Sequence, residues 1–291
     1  MALISKEYQE YVLDDLKKNE GLLRTCKASF LERLFIRKAG IKKLHPNPDD
    51  EFCLPKIGPN FGIVQDYANK FEHYRKCGSP IVMEPLFVEK LKPRGYRIIN
   101  GHHRWLAANR LKMVRVPIRI VNVTTDEEIQ EVLNRSENVV CASMDLDEII
   151  MVKDGARPME PKPWCAFLFR ERIREGVPAL ISELQKMGCD VWVYTGGYYS
   201  TAYIRALLRA YRVQPNGIIN GLRVKKRAGQ IRASFRSKYA VSVHCDTENV
   251  TCVRTGSKKY DIAELSGDEI TWASETMKAI RGMDSVRNAR G

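Results

Sequence analysis

The apolar run VVCASM (139–144) ends in Asp145-Leu146-Asp147. A short apolar run that closes on two carboxylates reads as a strand, and acids spaced i, i+2 in its C-terminal turn can face one pocket. One acid can hold a cation and attack an electrophile while the other moves a proton. On its own, D-x-D is also what an ordinary acidic turn looks like. Two further strand-type runs extend the set. DVWVYT ends in Thr195, followed by Gly196 and Gly197, and a hydroxyl before flexible backbone suits a phosphate oxygen. AVSVHC ends at Asp246, with Glu248 two residues on and Lys238 just before the run. Carboxylates, a hydroxyl and a lysine at successive strand ends are the parts that phosphoryl transfer needs, because it rests on charge neutralisation and positioning.

A second group lies upstream. GYRIINGHHRWLAANRL (95–111) reads as strand, tight turn and helix, with Gly101 permitting the turn. His102, His103 and Arg104 then fall at a helix start, where free N–H groups and the dipole attract anions. Arg104 offers a planar fork for a phosphate. Asp49, Asp50 and Glu51, in a Pro- and Asp-rich loop, form an acidic cluster near this turn in motif order, the candidate base for an acceptor hydroxyl.

These residues need elements to hold them. The spacing of Tyr8, Val12 and Leu16, and of Phe30, Leu31, Leu34 and Phe35, predicts helix over residues 3–38 with a break at Gly21. Helices are also expected over 65–77, 104–110, 126–133, 170–187 and 199–211, the third of these capped by a T-x-x-E box. Strands are expected over 81–92, 96–99, 115–121, 139–144, 190–194 and 240–245. Strands alternating with helices argue for an α/β chain with a parallel sheet and crossover helices. The polar stretch 122–138 reads as the connection between two domains. The expected division is a helical segment over 1–35, a first domain over 36–122 and a second over 138–291.

Composition narrows the class. At 291 residues the chain has room for two domains. No apolar run approaches the ~20 residues of a membrane helix, and the charged N-terminus lacks a signal-peptide core. A cytoplasmic protein without membrane partners is expected. The eight cysteines form no C-x-x-C pair, which argues against a zinc site or disulfide framework. The net charge of +13 is shared by both halves and favours anionic ligands, including nucleic acid.

The later group resembles the haloacid dehalogenase superfamily over residues 140–255, and within it the polymerase-tail phosphatase branch. The resemblance rests on Asp145-Leu146-Asp147, Thr195, a lysine best matched by Lys238 (rivals Lys225, Lys226 and Arg227), and Asp246. It implies a Rossmann-like parallel-sheet domain with a minimal cap and a magnesium-dependent phosphomonoester hydrolase. In that scheme Asp145 is the nucleophile that becomes an aspartyl-phosphate, and Asp147 is the acid and base. Asp145, the Asp147 carbonyl and Asp246 hold Mg2+, and Thr195 and Lys238 hold phosphoryl oxygens. Ile149 stands where the family has Thr or Val, and Asp246 has Glu248 two residues on rather than an adjacent acid. The segments between motifs are too short for a lid domain, although 221–231 reads as a basic hairpin. An open site admits a phosphorylated small molecule or a phosphoprotein.

The earlier group resembles the ParB/sulfiredoxin fold, an α+β domain, across 36–122. Asn100-Gly101-His102-His103-Arg104 is similar to the D-G-H-H-R of its free-serine kinases. His102 stands where sulfiredoxin chemistry needs a cysteine. The resemblance implies nucleotide or phosphate binding at Gly101, His102, His103 and Arg104, with ATP, ADP or CTP as ligand, and admits kinase activity. Two readings follow: a two-domain phosphotransfer enzyme, or a ParB-like nucleic-acid-associated regulator whose second domain only recognises phosphate.

Overall fold

The computed structural model describes residues 2–19, 21–152, 157–221, 225–257 and 260–289. The chain divides into two compact units, Met1–Asn122 and Val123–Gly291.

In unit 1 the elements run α1 (Ala2–Asn19), β1 (Arg24–Cys26), α2 (Phe30–Phe35), β2 (Lys38–Gly40), β3 (Leu44–His45), α3 (Phe61–Lys76), β4 (Leu86–Lys92), β5 (Tyr96–Asn100), α4 (His102–Arg110) and β6 (Arg115–Ile120). Its sheet has the order β2-β6-β4-β5-β3, with β1 also pairing β4. β4 is parallel to β6 and antiparallel to β5, a mixed α+β arrangement. The break expected at Gly21 within the helix over 3–38 is present (φ +71°), but the chain beyond it enters a strand before the short α2 rather than continuing as helix. The core gathers Leu86, Val88 and Ile98 from the strands with Trp105, Leu106 and Ala107 from α4 and Phe71 from α3.

Unit 2 contains α5 (Asp126–Arg135), β7 (Val140–Asp145), β8 (Met151–Val152), β9 (Arg172–Ile173), α6 (Val177–Lys186), β10 (Cys189–Thr195), α7 (Thr201–Ala210), β11 (Gly217–Asn220), α8 (Lys225–Lys238), β12 (Val241–Cys245), β13 (Asn249–Arg254), β14 (Tyr260–Glu264), α9 (Trp272–Gly282) and α10 (Asp284–Asn288). The sheet order is β11-β10-β7-β12-β13-β14. The first four strands are parallel, and β13 and β14 add on antiparallel. β7, β10 and β12 alternate between two apolar layers, so both faces are covered. Val140, Ala142 and Met144 face α6, α7 and α9, whereas Cys141 and Trp192 face α5 and α8. Strands sandwiched in this way carry near-continuous apolar sequence, the pattern that made them legible.

Three expectations about unit 2 give way. The stretch 122–138 belongs almost wholly to unit 2 rather than connecting two domains: the capped helix expected over 126–133 is present as α5, with a capping box between Thr125 and Glu128, and it buries Ile129 and Leu133 against Trp192 and Ile231. The hairpin expected over 221–231 falls partly on residues outside those described, and from Lys225 the chain is helical. The helix expected over 170–187 begins only at Val177, because Arg172 and Ile173 pair with β8. That two-stranded pair, β8 with β9, follows the Asp145 turn directly. All eight thiols are free. No described helix is long and apolar enough to cross a membrane.

Candidate functional site

The sheet of unit 2 changes direction beside β7. The chain steps from β7 outward to β10 and β11, then returns to lay β12 on the other side of β7. In open parallel sheets ligands sit outside the carboxyl ends of the strands at this reversal. Asp145 ends β7 and Asp246 follows β12, each one residue past the paired Met144 and Cys245. Thr195 ends β10, and Tyr194 pairs with Asp145. Asp145, Thr195 and Asp246 therefore share one edge because the parallel register puts them there.

After Asp145 the chain makes one wide helical turn, Leu146–Ile150, closed by the Met151 N–H on the Leu146 carbonyl. Asp145 Oδ1 caps this turn, accepting from the Asp147 N–H at 2.6 Å and the Glu148 N–H at 2.9 Å. Burial raises the Asp145 pKa, the two N–H bonds pull it down, and the neighbouring Asp147 and Glu148 charges add to the rise. Thr195 is fully buried; its hydroxyl donates to Asp147 Oδ2 and accepts from the Gly197 N–H at 2.8 Å. A Cβ at Gly197 would lie 2.9 Å from the Tyr199 ring and 3.0 Å from that hydroxyl, so any side chain there would press on both. Asp246 accepts the Thr247 N–H on Oδ1 at 2.6 Å, and its carbonyl accepts from the Trp272 indole at 2.9 Å.

The expected magnesium ligands can be tested against this geometry. Among the described residues no three His, Cys, Asp or Glu side chains converge as a metal-binding group. The Asp147 carboxylate is turned to Thr195, which leaves its backbone carbonyl as the donor at that position. Asp145 and Asp246 each spend Oδ1 on backbone, and neither Oδ2 has a hydrogen-bond partner among the described residues. Two hard carboxylate oxygens and a carbonyl fit an ion that keeps several waters, as Mg2+ does.

Lys238 does not join this edge. It ends α8 just before β12 begins, at the amino end of a parallel strand, and its ammonium donates to the Ser136 carbonyl. Sequence order cannot distinguish the two ends of a crossover helix; the direction of α8 does. The side chains of Lys225, Lys226 and Arg227 lie outside the described residues. The helix that carries them starts after β11, whose carboxyl end lies beside that of β10.

Three residues absent from the sequence reading line the same strands. The Tyr194 hydroxyl lies 3.3 Å from His244 Nε2, and the Ser143 hydroxyl 3.3 Å from His244 Nδ1. Burial, followed by the Asp145 and Asp246 charges, raises the Tyr194 phenol, so it stays a proton donor at neutral pH. The signal was present in the sequence: Ser143 and His244 are polar residues in apolar strands, each two before an acid.

In unit 1, Gly101 takes a left-handed conformation (φ +102°) at the start of α4, as the turn requires. A Cβ there would meet Leu86 at 2.5 Å. The side chains that follow are engaged by the chain itself. Arg104 is buried and donates to the Glu84 carbonyl at 2.9 Å and carboxylate at 3.1 Å. The expected phosphate fork is thus folded under the turn. His102 Nε2 accepts from the Asn47 N–H and His103 Nε2 from the Asn60 N–H, which binds the loop before α3 to the helix start. Burial pushes the His102 pKa down to about 4, partly opposed by Asp50, whose Oδ2 lies 3.7 Å away. Asp50 also caps the short turn Glu51–Cys53 and is partly buried, so of the nominated acids Asp49 and Glu51 are the exposed ones.

Residues 79–138 match the family model of the ParB N-terminal domain, a stretch that runs from before β4 past the end of α5. No curated protein matches the chain. Among solved structures, the chain is similar to the C-terminally truncated chromosome-partitioning protein ParB from Caulobacter crescentus complexed with CTP-γ-S. Identity is 27%, with 33% of this chain and 48% of that one covered and a TM-score of 0.24. The same protein complexed to the centromeric parS site gives 27% identity, coverage of 34% and 46%, and a TM-score of 0.22. The chain thus spans about half the length of the structures it matches, and residues 79–138 are similar to the ParB N-terminal domain.

Proposed function

We propose that unit 2 is a magnesium-dependent phosphomonoester hydrolase of haloacid dehalogenase type, with Asp145 as nucleophile. The supporting observation is the switch-point edge, where parallel strands bring Asp145, Thr195 and Asp246 together and the Thr195 hydroxyl is held on Asp147. Asp145 Oδ1 is held by two N–H groups, which fixes the orientation of the carboxylate at the edge. Asp147, largely exposed, is the group able to give a proton to a leaving oxygen and to take one from water. Asp145, Asp246 and the Asp147 carbonyl would hold magnesium, which would supply charge neutralisation at the phosphoryl oxygens. In unit 1 we assign anion binding, with a nucleotide as ligand, to the backbone N–H groups at the start of α4 rather than to the Arg104 side chain.

The test is turnover of p-nitrophenyl phosphate and a panel of phosphomonoesters by the full chain in magnesium. Asp145→Asn abolishes turnover with the fold intact. Asp147→Asn slows breakdown of the phospho-enzyme, so phosphate accumulates on protein in that variant alone. Full activity in Asp145→Asn, or a wild type inert across the panel, ends the assignment.

A second reading has its own support in the ParB N-terminal match and the +13 charge. In it the chain is a nucleic-acid-associated regulator and unit 2 recognises phosphate without cleaving it. Such a protein binds DNA with a steep salt dependence, which the hydrolase does not need.

A further inference from the structure

A groove of about 840 Å³ opens on the α8 face of the unit 2 sheet. Its floor includes Ser143 of β7, Tyr194 of β10 and His244 of β12; α8 forms one wall and the turn from Val253 to Ser257, with Tyr260, the other. The volume is that of a site for a ligand of a few hundred daltons.

The floor is a built aromatic platform. The Tyr194 and His244 rings stack with centroids 5.8 Å apart and planes at 30°, and Ser143 fixes the far nitrogen of His244. Phe235 stands on the α8 side, edge-on to the buried Trp192 at 4.7 Å, and Tyr260 is largely exposed on the opposite wall. Half-buried aromatic faces around a ring-sized space favour a planar partner. The formally charged side chains that line the groove are all basic, with the Asp145 and Asp246 edge on the far side of Tyr194. Arg232, Arg236 and Arg254 line the groove and are exposed, and no Asp or Glu is among its described lining residues. Arg232 donates only to the Ala228 carbonyl of its own helix, and Arg236 and Arg254 have no carboxylate partner among the described residues. An unneutralised arginine trio beside an aromatic floor calls for a ligand with both a flat ring and an anionic group. An aliphatic anion would leave the platform unused, and a neutral ring would leave the arginines unpaired.

We propose that this groove binds a nucleotide, its base against the Tyr194–His244 platform and its phosphate on Arg232, Arg236 and Arg254. The site does not depend on Asp145 acting as a nucleophile. It adjoins that edge, since Tyr194 directly precedes Thr195 and the other two floor residues stand two before Asp145 and Asp246. The same chemistry is offered by a free mononucleotide and by the end of a single strand, where stacking is equally tolerant of sequence.

Isothermal titration of the full chain with AMP, CMP, inorganic phosphate and a ten-nucleotide single strand tests the proposal. A mononucleotide is expected to bind at least tenfold more tightly than phosphate alone. The double variant Arg236→Glu, Arg254→Glu should weaken it at least tenfold, or remove one site of two if unit 1 also binds. These side chains are exposed, so the melting temperature should not move. Asp145→Asn should keep the affinity, which separates this outcome from failure of the hydrolase assignment. A single strand that binds more tightly with the same arginine dependence identifies a nucleic-acid end as the source. Absence of binding by all four probes overturns the proposal, as does nucleotide binding that the arginine pair leaves unchanged.

Discussion

Each unit carries a strand that ends in a tight turn and a helical segment, and the two turns treat their polar side chains in opposite ways. At Gly101–Arg104 the chain consumes them: Arg104 lies under the turn on Glu84, and both histidines accept N–H groups from the loop before α3. At Asp145–Glu148 the turn is held by one carboxylate oxygen, leaving Asp147 and Glu148 exposed. Residue types suited to binding anions stand at the first turn, and residue types suited to chemistry at the second. Burial decides the difference, because a buried polar group must be satisfied by whatever surrounds it. A motif in sequence names the donors; only the neighbours determine whether they are still available to a ligand.

The largest expected effect lies at the open turn. Asp145→Asn should cut phosphomonoester turnover by at least about 10³-fold, since an amide cannot serve as the attacking oxyanion. It should barely move the melting temperature, because the amide oxygen can still accept the two turn N–H bonds. A large loss of stability with residual activity intact would make the two turns alike and break the comparison.

The closed turn should respond in the reverse sense. Arg104→Met removes a buried cation bonded to a carbonyl and a carboxylate. Hydrogen bonds to charged groups contribute about 1.5–3 kcal/mol each, and the Glu84 carbonyl is left with a weaker environment. The unfolding free energy of unit 1 should fall by roughly 2–4 kcal/mol in a denaturant titration. If stability is unchanged and only nucleotide affinity drops, Arg104 is a ligand contact after all.

The parts of this contrast that were legible in sequence share a physical feature. β7, β10 and β12 announce themselves because strands covered on both faces must be apolar throughout, and the acids at their ends interrupt that run. The capping box at Thr125 is likewise a local signal. Other elements carry no such signal. β14 is almost wholly exposed and β11 is four residues long, so neither has a period to read. α8 is rich in lysine and arginine with few apolar positions, and its reading as a hairpin followed from that composition. The engagement of Arg104 by Glu84 joins residues twenty apart, and the placement of Lys238 depends on the direction of a helix. Neither is encoded in spacing.

The His102 side chain gives the closed turn a pH signature. Its folded pKa of about 4 lies below the ordinary histidine value, because burial disfavours the charged ring. Between about pH 6.5 and pH 4 the unfolded chain therefore binds a proton that the folded unit does not, and stability must fall as pH falls. The loss is complete near the folded pKa and amounts to about 3 kcal/mol at most. His102→Gln, which keeps an acceptor for the Asn47 N–H and does not titrate, should reduce that dependence for unit 1 and leave the part due to His103, whose pKa burial also lowers. The same slope in wild type and variant would mean that the imidazole is solvated.

The smallest expected effect concerns where one unit stops and the other starts. The ParB-like match runs to residue 138, yet α5 buries Ile129 and Leu133 among unit 2 residues, and Thr124 bonds to Asn220 at the end of β11. Thr125→Ala removes the hydroxyl that accepts the Glu128 N–H, and with it half of a reciprocal pair. Loss of such a cap costs about 1 kcal/mol. Because α5 packs on the β10 and α8 side, the cost should appear in the unfolding transition of unit 2 and leave that of unit 1 in place. The turnover of the Asp145 edge should also survive, since α5 covers a sheet face rather than the strand ends. A protease should cut near 122–123 rather than inside 126–135, leaving α5 on the C-terminal fragment. If instead the substitution lowers the unit 1 transition, α5 belongs with the ParB-like part as the extent of the match would have it, and the boundary lies beyond residue 135.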